Sequence, residues 1–384
     1  MALIWRLIVK LSSIKTLISV GLGFAVLFTL LLTYKSISSR PNQTITDLIR
    51  GSQAMRELYK HGQIEEVEHV AFKFPLQLNR SEKSIKSSQS SEIKPLDVVI
   101  VFTNAEDDWN LREKLNDNIK SLLFYSSAPI NFYFIGDEIS QTIANKVVAK
   151  YAAQFHITSQ VVRIDVFSIA RGLGEVIRPM QQHFSFKPGA YYNNELFFLS
   201  LAIHRVMPLK IDRVVMLDVD LIFKDDIKKL YDHFEKFKST NLIGLAREQQ
   251  PVYRHAFWKY RKHHPSTRVG EPPPGGLTGF NSGVVLLRLN RMRESNLYNR
   301  LLTRSAVQNL TESFMFKGHL GDQDFFSIVA MRYDELFYIL PCSWNRQLCQ
   351  WWKDKGYETI FDLYHKCDLD IHIYHGNCRT KIYN

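Results

Sequence analysis

Val214-Val215-Met216-Leu217-Asp218-Val219-Asp220-Leu221-Ile222-Phe223 is an apolar run interrupted by two carboxylates at i and i+2. A strand has period two, so as a strand this segment projects Asp218 and Asp220 from one face and Val219 from the other. Carboxylates beside so hydrophobic a strand are costly unless something neutralises them. A divalent cation meets that need: it takes oxygen ligands, and it offsets the charge of a phosphate group held at the same place.

The segments upstream set the fold around this couplet. Residues 97–103 read as a buried first strand, bounded by the polar Asn104-Ala105-Glu106-Asp107-Asp108. A helical stretch over 110–125 follows, then a strand over 130–135 ended by Gly136-Asp137, a helix over 138–155 and a third strand over 161–166. Residues 192–205 read as a helix that Pro208 closes. Strand–helix alternation of this kind predicts an α/β domain with a largely parallel central sheet. Ligands in such sheets sit beyond the carboxyl ends of the strands, where both Thr103 and the aspartate couplet fall. There is no internal repeat.

With 384 residues, 45% of them hydrophobic, the chain has ample material for one large core. The formal net charge of +11 is compatible with nucleic acid, an anionic membrane surface or an anionic small substrate. The basic residues are dispersed, and no zinc-finger, RNP-type or basic-zipper pattern accompanies them, which argues against nucleic acid. Residues 16–34 carry no charge, and as a helix they span about 28 Å, close to the hydrocarbon thickness of a bilayer. Arg6, Lys10 and Lys15 precede the run, favouring a cytoplasmic N-terminus. The run is long for a cleaved signal peptide and lacks a clean small-x-small cleavage site. The expected organisation is therefore a cytoplasmic tail (1–15), a transmembrane signal-anchor (16–34), a polar lumenal stem (35–94) and a catalytic domain (95–384). Sequons at Asn42, Asn79 and Asn309 agree with a lumenal location. So do Cys342, Cys349, Cys367 and Cys378, an even set near the C-terminus that reads as two disulfides in an oxidising compartment. Three pairings are open, with Cys342–Cys367 and Cys349–Cys378 preferred. A zinc site would need a short Cys-x-x-Cys pair, which is absent.

Three further segments carry candidate chemistry. Pro272-Pro273-Pro274-Gly275-Gly276-Leu277-Thr278-Gly279 feeds Phe280-Asn281-Ser282-Gly283-Val284, where glycines allow close backbone approach and Asn281 and Ser282 suit sugar hydroxyls. His319-Leu320-Gly321-Asp322-Gln323-Asp324 puts two acids and an amide on a turn before an apolar helix, a pattern also expected of a helix cap. His375 ends the alternating Ile371-His372-Ile373-Tyr374, and an imidazole completes a mixed N/O site for a manganese-like ion. The rival reading of the couplet is a phosphatase with a hydrophobic-DxDx-Thr/Val element and a nucleophilic first Asp. Asp218-Val219-Asp220-Leu221-Ile222 lacks the closing Thr/Val, and no downstream partner set accompanies it.

Taken in order, Asp-Val-Asp at 218–220, Phe-Asn-Ser-Gly-Val at 280–284, His-Leu-Gly-Asp-Gln-Asp at 319–324 and His-Gly-Asn at 375–377 resemble glycosyltransferase family 8 over roughly 97–377. The resemblance implies a GT-A fold and retention of anomeric configuration. Residues 249–258 and 342–352 are similar to the members that add α-1,3-xylose from UDP-xylose to a xylosyl-glucose disaccharide O-linked to EGF-like repeats of Notch-type proteins. It implies that Asp218, Asp220 and His375 hold Mn2+, or Mg2+ in its place. Val101, Phe102, Thr103 and Val219 are implied at the nucleotide, Asn281, Ser282, Leu320 and Gln323 around the donor sugar, and Tyr253, His255, Trp352 and Asn377 on the acceptor side. Gln323 becomes a positioning amide near the anomeric carbon, Asp322 and Asp324 orient hydroxyls, and Arg379 or Lys381 assists the leaving diphosphate. Many members carry His-x-x-Gly-x-x-Lys near the C-terminus; here His375 and Gly376 are adjacent, leaving open which basic group reaches the phosphate. The expected setting is the endoplasmic reticulum membrane, single-pass type II, in preference to the Golgi, and a homodimer is an open option. The alternatives are another UDP-sugar donor, or a non-catalytic lumenal carbohydrate-binding protein.

Overall fold

The computed structural model describes residues 94–185 and 195–382. The expected tail, anchor and nearly all of the stem lie outside them. Among the described residues no helix is long and apolar enough to cross a membrane.

Among the described residues ten strands form two sheets: β1 (Leu96–Val101), β2 (Ile130–Gly136), β3 (Ser159–Asp165), β4 (Val214–Leu217), β5 (Leu221–Phe223), β6 (Ile243–Arg247), β7 (Phe280–Leu287), β8 (Phe337–Leu340), β9 (Arg346–Gln347) and β10 (Ile373–His375). The large sheet has the order β3-β2-β1-β4-β7-β6-β8, and the small one β5-β10-β9. Within the large sheet only β7 runs against its neighbours, so the expected largely parallel α/β sheet is what forms. Its two faces carry separate apolar clusters. Val98 and Ile100 of β1 and Val215 and Leu217 of β4 enter one cluster, while Val99 and Val214 enter the other, the period-two alternation of a sheet buried on both sides.

Helices α1 (Trp109–Tyr125) and α2 (Glu138–Phe155) lie where the sequence puts them. Each starts at an aspartate, Asp108 accepting from the Leu111 amide and Asp137 from the Ser140 amide. The sequence reading misses α3 (Val166–Phe184), which buries Ile169, Leu173, Val176, Ile177 and Met180 along one stripe. The helix expected over 192–205 is, where described, a chain of short turns over Glu195–Phe198, Leu199–Ala202 and Ile203–Arg205. Further along come α4 (Arg304–Ser313), α5 (Asp322–Ala330) and α6 (Glu358–His365). Disulfides join Cys342 to Cys367 and Cys349 to Cys378, the preferred pairing.

Candidate active site

The couplet does not continue the strand as its period predicts. β4 ends at Leu217, Asp218–Asp220 is a bend, and β5 belongs to the other sheet. The backbone polar groups of the bend explain why. The Asp218 amide donates to the Gly283 carbonyl, the Asp218 carbonyl accepts from Asn118 Nδ2, and the Asp220 carbonyl accepts from the Gly376 amide. Three different elements satisfy it, so the chain can leave one sheet and enter the other. β10 pairs antiparallel with β5, setting His375 opposite Leu221 and hence beside Asp220. A residue more than 150 positions away thereby reaches the couplet: His375 Nε2 is 3.5 Å from Asp218 Oδ2 and 3.4 Å from Asp220 Oδ1. One ligand atom from each of the three lies within 4.8 Å of the others. Two carboxylates and an imidazole are a donor set suited to a manganese-like ion.

A chain of hydrogen bonds orients the imidazole. The Gly283 amide donates to Asn281 Oδ1, which fixes that oxygen as an acceptor. Asn345 Nδ2 donates to the same oxygen at 2.9 Å, so its own Oδ1 faces His375 Nδ1, 3.0 Å away. A carbonyl oxygen only accepts; Nδ1 therefore carries a proton, which leaves Nε2 facing the carboxylates, where it holds a second proton in the bare site or offers its lone pair to an ion. Gly283 has no room for a side chain, since a Cβ there would lie 2.2 Å from His375 Cε1. The same chain continues into the sugar-side residues. Asn281 Nδ2 donates to Gln323 Oε1 at 3.1 Å, and both side-chain amides donate to Glu248 Oε2 at 3.3 Å.

The electrostatics follow from crowding. Loss of surrounding water pushes the Asp218 carboxyl upward, with Asp220 and Asp322 adding repulsion and His375 opposing them. Its side chain still has 55% of its surface open, so the shift reflects an enclosed, carboxylate-rich cleft more than deep burial. Asp220 goes the other way. Burial alone would raise it, but hydrogen bonding and charge from His375, with Lys114 3.4 Å away, hold it well below the usual carboxylate range. Burial opposes charging His375, yet the two aspartates outweigh it and raise its pKa. A cation would take over the role the proton plays there.

The remaining candidates fall into distinct places. Leu217 stands beside Ile100, so β1 and β4 release their chains at one edge. There the Thr103 hydroxyl donates to Asp137 Oδ2, and Val101 is half-buried. The Phe102 side chain belongs to the core and can offer a ligand only its backbone. Val219 packs against that same core. Ser282 Oγ and Ser200 Oγ both donate to Asp322. Asp324 is 2% exposed and accepts from the His319 and Leu320 amides and the Tyr253 hydroxyl, so it fastens the turn. Neither aspartate caps α5, whose N-cap is Gly321 at φ +68°. Leu320 packs at the edge of the core beside this turn. Tyr253, expected on the acceptor side, is fully buried beneath the turn. His255 is exposed and lies 4.7 Å, centroid to centroid, from Trp352, with its Nδ1 3.1 Å from the Tyr357 hydroxyl. Asn377 commits its Oδ1 to the Leu348 and Cys349 amides. Arg379 and Lys381 are exposed on the terminal segment, which folds back over Gly376, where a Cβ would lie 2.6 Å from the Thr380 carbonyl oxygen.

Sequence reasoning missed Lys114, Asn118, Glu248 and Asn345. Glu248 had a signal, an acid one residue beyond the apolar Ile243-Gly244-Leu245-Ala246; Asn345 falls within the 342–352 stretch that carries the family resemblance, but nothing in its spacing marks it as a partner of His375.

Comparison with known proteins agrees with this geometry. Xyloside xylosyltransferase 1 of Mus musculus is 44% identical over 306 residues, covering 77% of this chain and 78% of that protein. The Homo sapiens protein of the same name is 44% identical over 306 residues, covering 77% of each. The crystal structure of mouse Xyloside xylosyltransferase 1 in its apo form superposes with a TM-score of 0.70 at 43% identity, covering 75% of this chain and 100% of that one. Residues 81–363 match the model of Glycosyl transferase family 8, and the chain belongs to that family of glycosyltransferases.

Proposed function

We propose that this chain is a retaining α-1,3-xylosyltransferase that moves xylose from UDP-xylose to the xylose of a xylosyl-glucose disaccharide O-linked to EGF-like repeats. The observation that carries the reading is the 44% identity to proteins named for xylosyl transfer to a xyloside. The site supplies groups suited to that chemistry. Asp218, Asp220 and His375 would hold Mn2+, or Mg2+ in its place. Such an ion, when bound, supplies positive charge that stabilises the departing diphosphate.

The chain's own residues supply binding and orientation. Val101 and Thr103, with the backbone of Phe102 and Val219, border the nucleoside end. Asn281, Ser282, Leu320 and Gln323 surround the sugar, and Asp322 orients the Ser282 hydroxyl. Gln323 has its carbonyl oxygen tied to Asn281 and its amide to Glu248, which makes it a positioning group and a poor nucleophile. In retention without an enzymatic nucleophile, the acceptor hydroxyl attacks from the leaving-group side and its proton passes to the departing phosphate oxygen. His255 and Trp352 form an aromatic ledge for the acceptor, and Arg379 and Lys381 are the basic groups on the terminal segment. The proposal includes a type II anchor at residues 16–34 in the endoplasmic reticulum membrane; the two disulfides support an oxidising lumen.

The test offers the purified protein UDP-xylose, UDP-glucose and UDP-galactose with Mn2+ and a xylosyl-glucoside acceptor. The expected product is an α-1,3-linked xylose, identified by NMR, from UDP-xylose alone. Asp220→Asn is expected to cut turnover by at least about 100-fold. Preference for another donor overturns the choice of xylose, a β linkage overturns retention, and an absence of turnover with every donor leaves the carbohydrate-binding alternative.

A further inference from the structure

Helix α1 carries a polar stripe on the side that packs toward the couplet. Lys114, Asn118 and Ser121 stand at i, i+4 and i+7 and so share one face. Asn118 Nδ2 donates to the Asp218 carbonyl at 2.9 Å, and Ser121 Oγ accepts from the Phe223 amide at 3.1 Å. These two contacts hold backbone on both sides of the bend. The third is of another kind: Lys114 Nζ lies 3.4 Å from Asp220 Oδ2, a charge set against a candidate cation ligand. Asp220 thus divides its carboxylate, Oδ1 toward His375 Nε2 and Oδ2 toward the ammonium. An ammonium has three donors and no lone pair, so it cannot enter a metal's coordination shell. Its charge nevertheless does for the bare couplet what a cation would do. The Lys114 side chain is 28% exposed, which gives its flexible stem room to reorient.

We propose that Lys114 is a placeholder cation that couples metal binding to nucleotide binding. It neutralises the bare couplet, disfavours a divalent ion arriving alone, and turns to the diphosphate when nucleotide and ion come together. Asn118 and Ser121 keep the bend rigid, so the ammonium meets a fixed target. The proposal rests on the metal reading of Asp218, Asp220 and His375. Its consequence is thermodynamic: UDP raises the affinity for the ion, the ion raises the affinity for UDP by the same factor, and the lysine contributes to that factor.

The experiment measures Mn2+ binding by electron paramagnetic resonance of the free ion, with and without UDP, for the wild type, Lys114→Met and Lys114→Arg. The Met variant is expected to bind Mn2+ alone at least about threefold more tightly, because a repelling charge has gone. Its UDP-induced gain in Mn2+ affinity is expected to shrink by a similar factor. The Arg variant keeps the charge and is expected to stay within about twofold of wild type. Unchanged or weaker binding of Mn2+ alone by the Met variant overturns the proposal, as does a UDP-induced gain that survives intact. Should the Met variant fail to fold, Lys114→Gln keeps a donor toward Asp220 without the charge and carries the same expectations. A wild type that binds no Mn2+ under either condition overturns the metal reading itself, and the placeholder role with it.

Discussion

Glu248 pays for its position in stability. It is 3% exposed, its Oε1 has no partner in hydrogen-bond geometry, and burial pushes its carboxyl up to about 7 against the partial offsets of Asn281 and Gln250. A carboxyl with a raised folded-state pKa keeps its proton in the native state after the unfolded chain has lost it. Stability therefore falls as pH rises from about 4.5, the unfolded value, to about 7, and levels off above. Glu248→Gln removes the ionisation and leaves an oxygen to accept from Asn281 and Gln323. The variant is expected to be more stable than wild type at pH 8, by on the order of 1–3 kcal/mol, with the gap closing toward pH 5. Urea denaturation at the two pH values checks this; a gap independent of pH would mean that the carboxylate is not the cause.

At the scale of elements, the loop between Cys342 and Cys349 links the two halves of the site. It contributes Asn345, which touches His375 on one side and Asn281 on the other. Asn345→Leu removes the acceptor from Nδ1 and the donor from Asn281, and is expected to weaken Mn2+ binding about 10- to 100-fold. Asn345→Asp keeps an acceptor for Nδ1 and is expected to retain the ion while raising KM for the donor, since the bond to Asn281 is lost. Titration with Mn2+ and donor kinetics separate the two; equal Mn2+ affinity in both variants would rule out the orienting role. The loop was legible as a stretch resembling the family and as a pair of disulfide cysteines, but the role of Asn345 was not, because an asparagine between cysteines has no periodicity to read. β1, α1, β2, α2 and β3 were legible, since each has an apolar period and a polar or glycine boundary. α3 was not: Gly172, Gly174 and Pro179 argue locally against a helix, and only its buried stripe, a tertiary property, overrides them. The couplet was legible as chemistry and misread as conformation. Period two placed both carboxylates on one strand face, whereas the partners that bend the chain after Leu217 come from α1, β7 and the residue after β10.

At the scale of the whole described domain, the site straddles two sheets of unequal strength. Asp218 follows a strand of the seven-stranded sheet, buried between two apolar clusters, while His375 and Asn345 belong to the three-stranded sheet and the loop leading to it. The small sheet has strands of only two and three residues, too short to be stable by pairing alone. Its apolar residues Leu221, Phe223 and Ile373 join one of those clusters, and two crosslinks add to that packing: Cys349–Cys378 ties the loop after β9 to the chain just past His375, and Cys342–Cys367 ties the start of that region to the end of α6. Each crosslink is worth about 2–4 kcal/mol by restricting the unfolded chain. Reduction should therefore release the imidazole before it unfolds the large sheet. Under a phosphine reductant, Mn2+ affinity is expected to fall at least about tenfold at temperatures where far-UV circular dichroism still reports the folded sheet. Parallel metal titration and dichroism on oxidised and reduced protein make the comparison. Loss of both signals in one transition would mean that the two sheets unfold as a single unit, and undiminished Mn2+ binding after reduction would mean that pairing with β5 suffices to hold His375 in place.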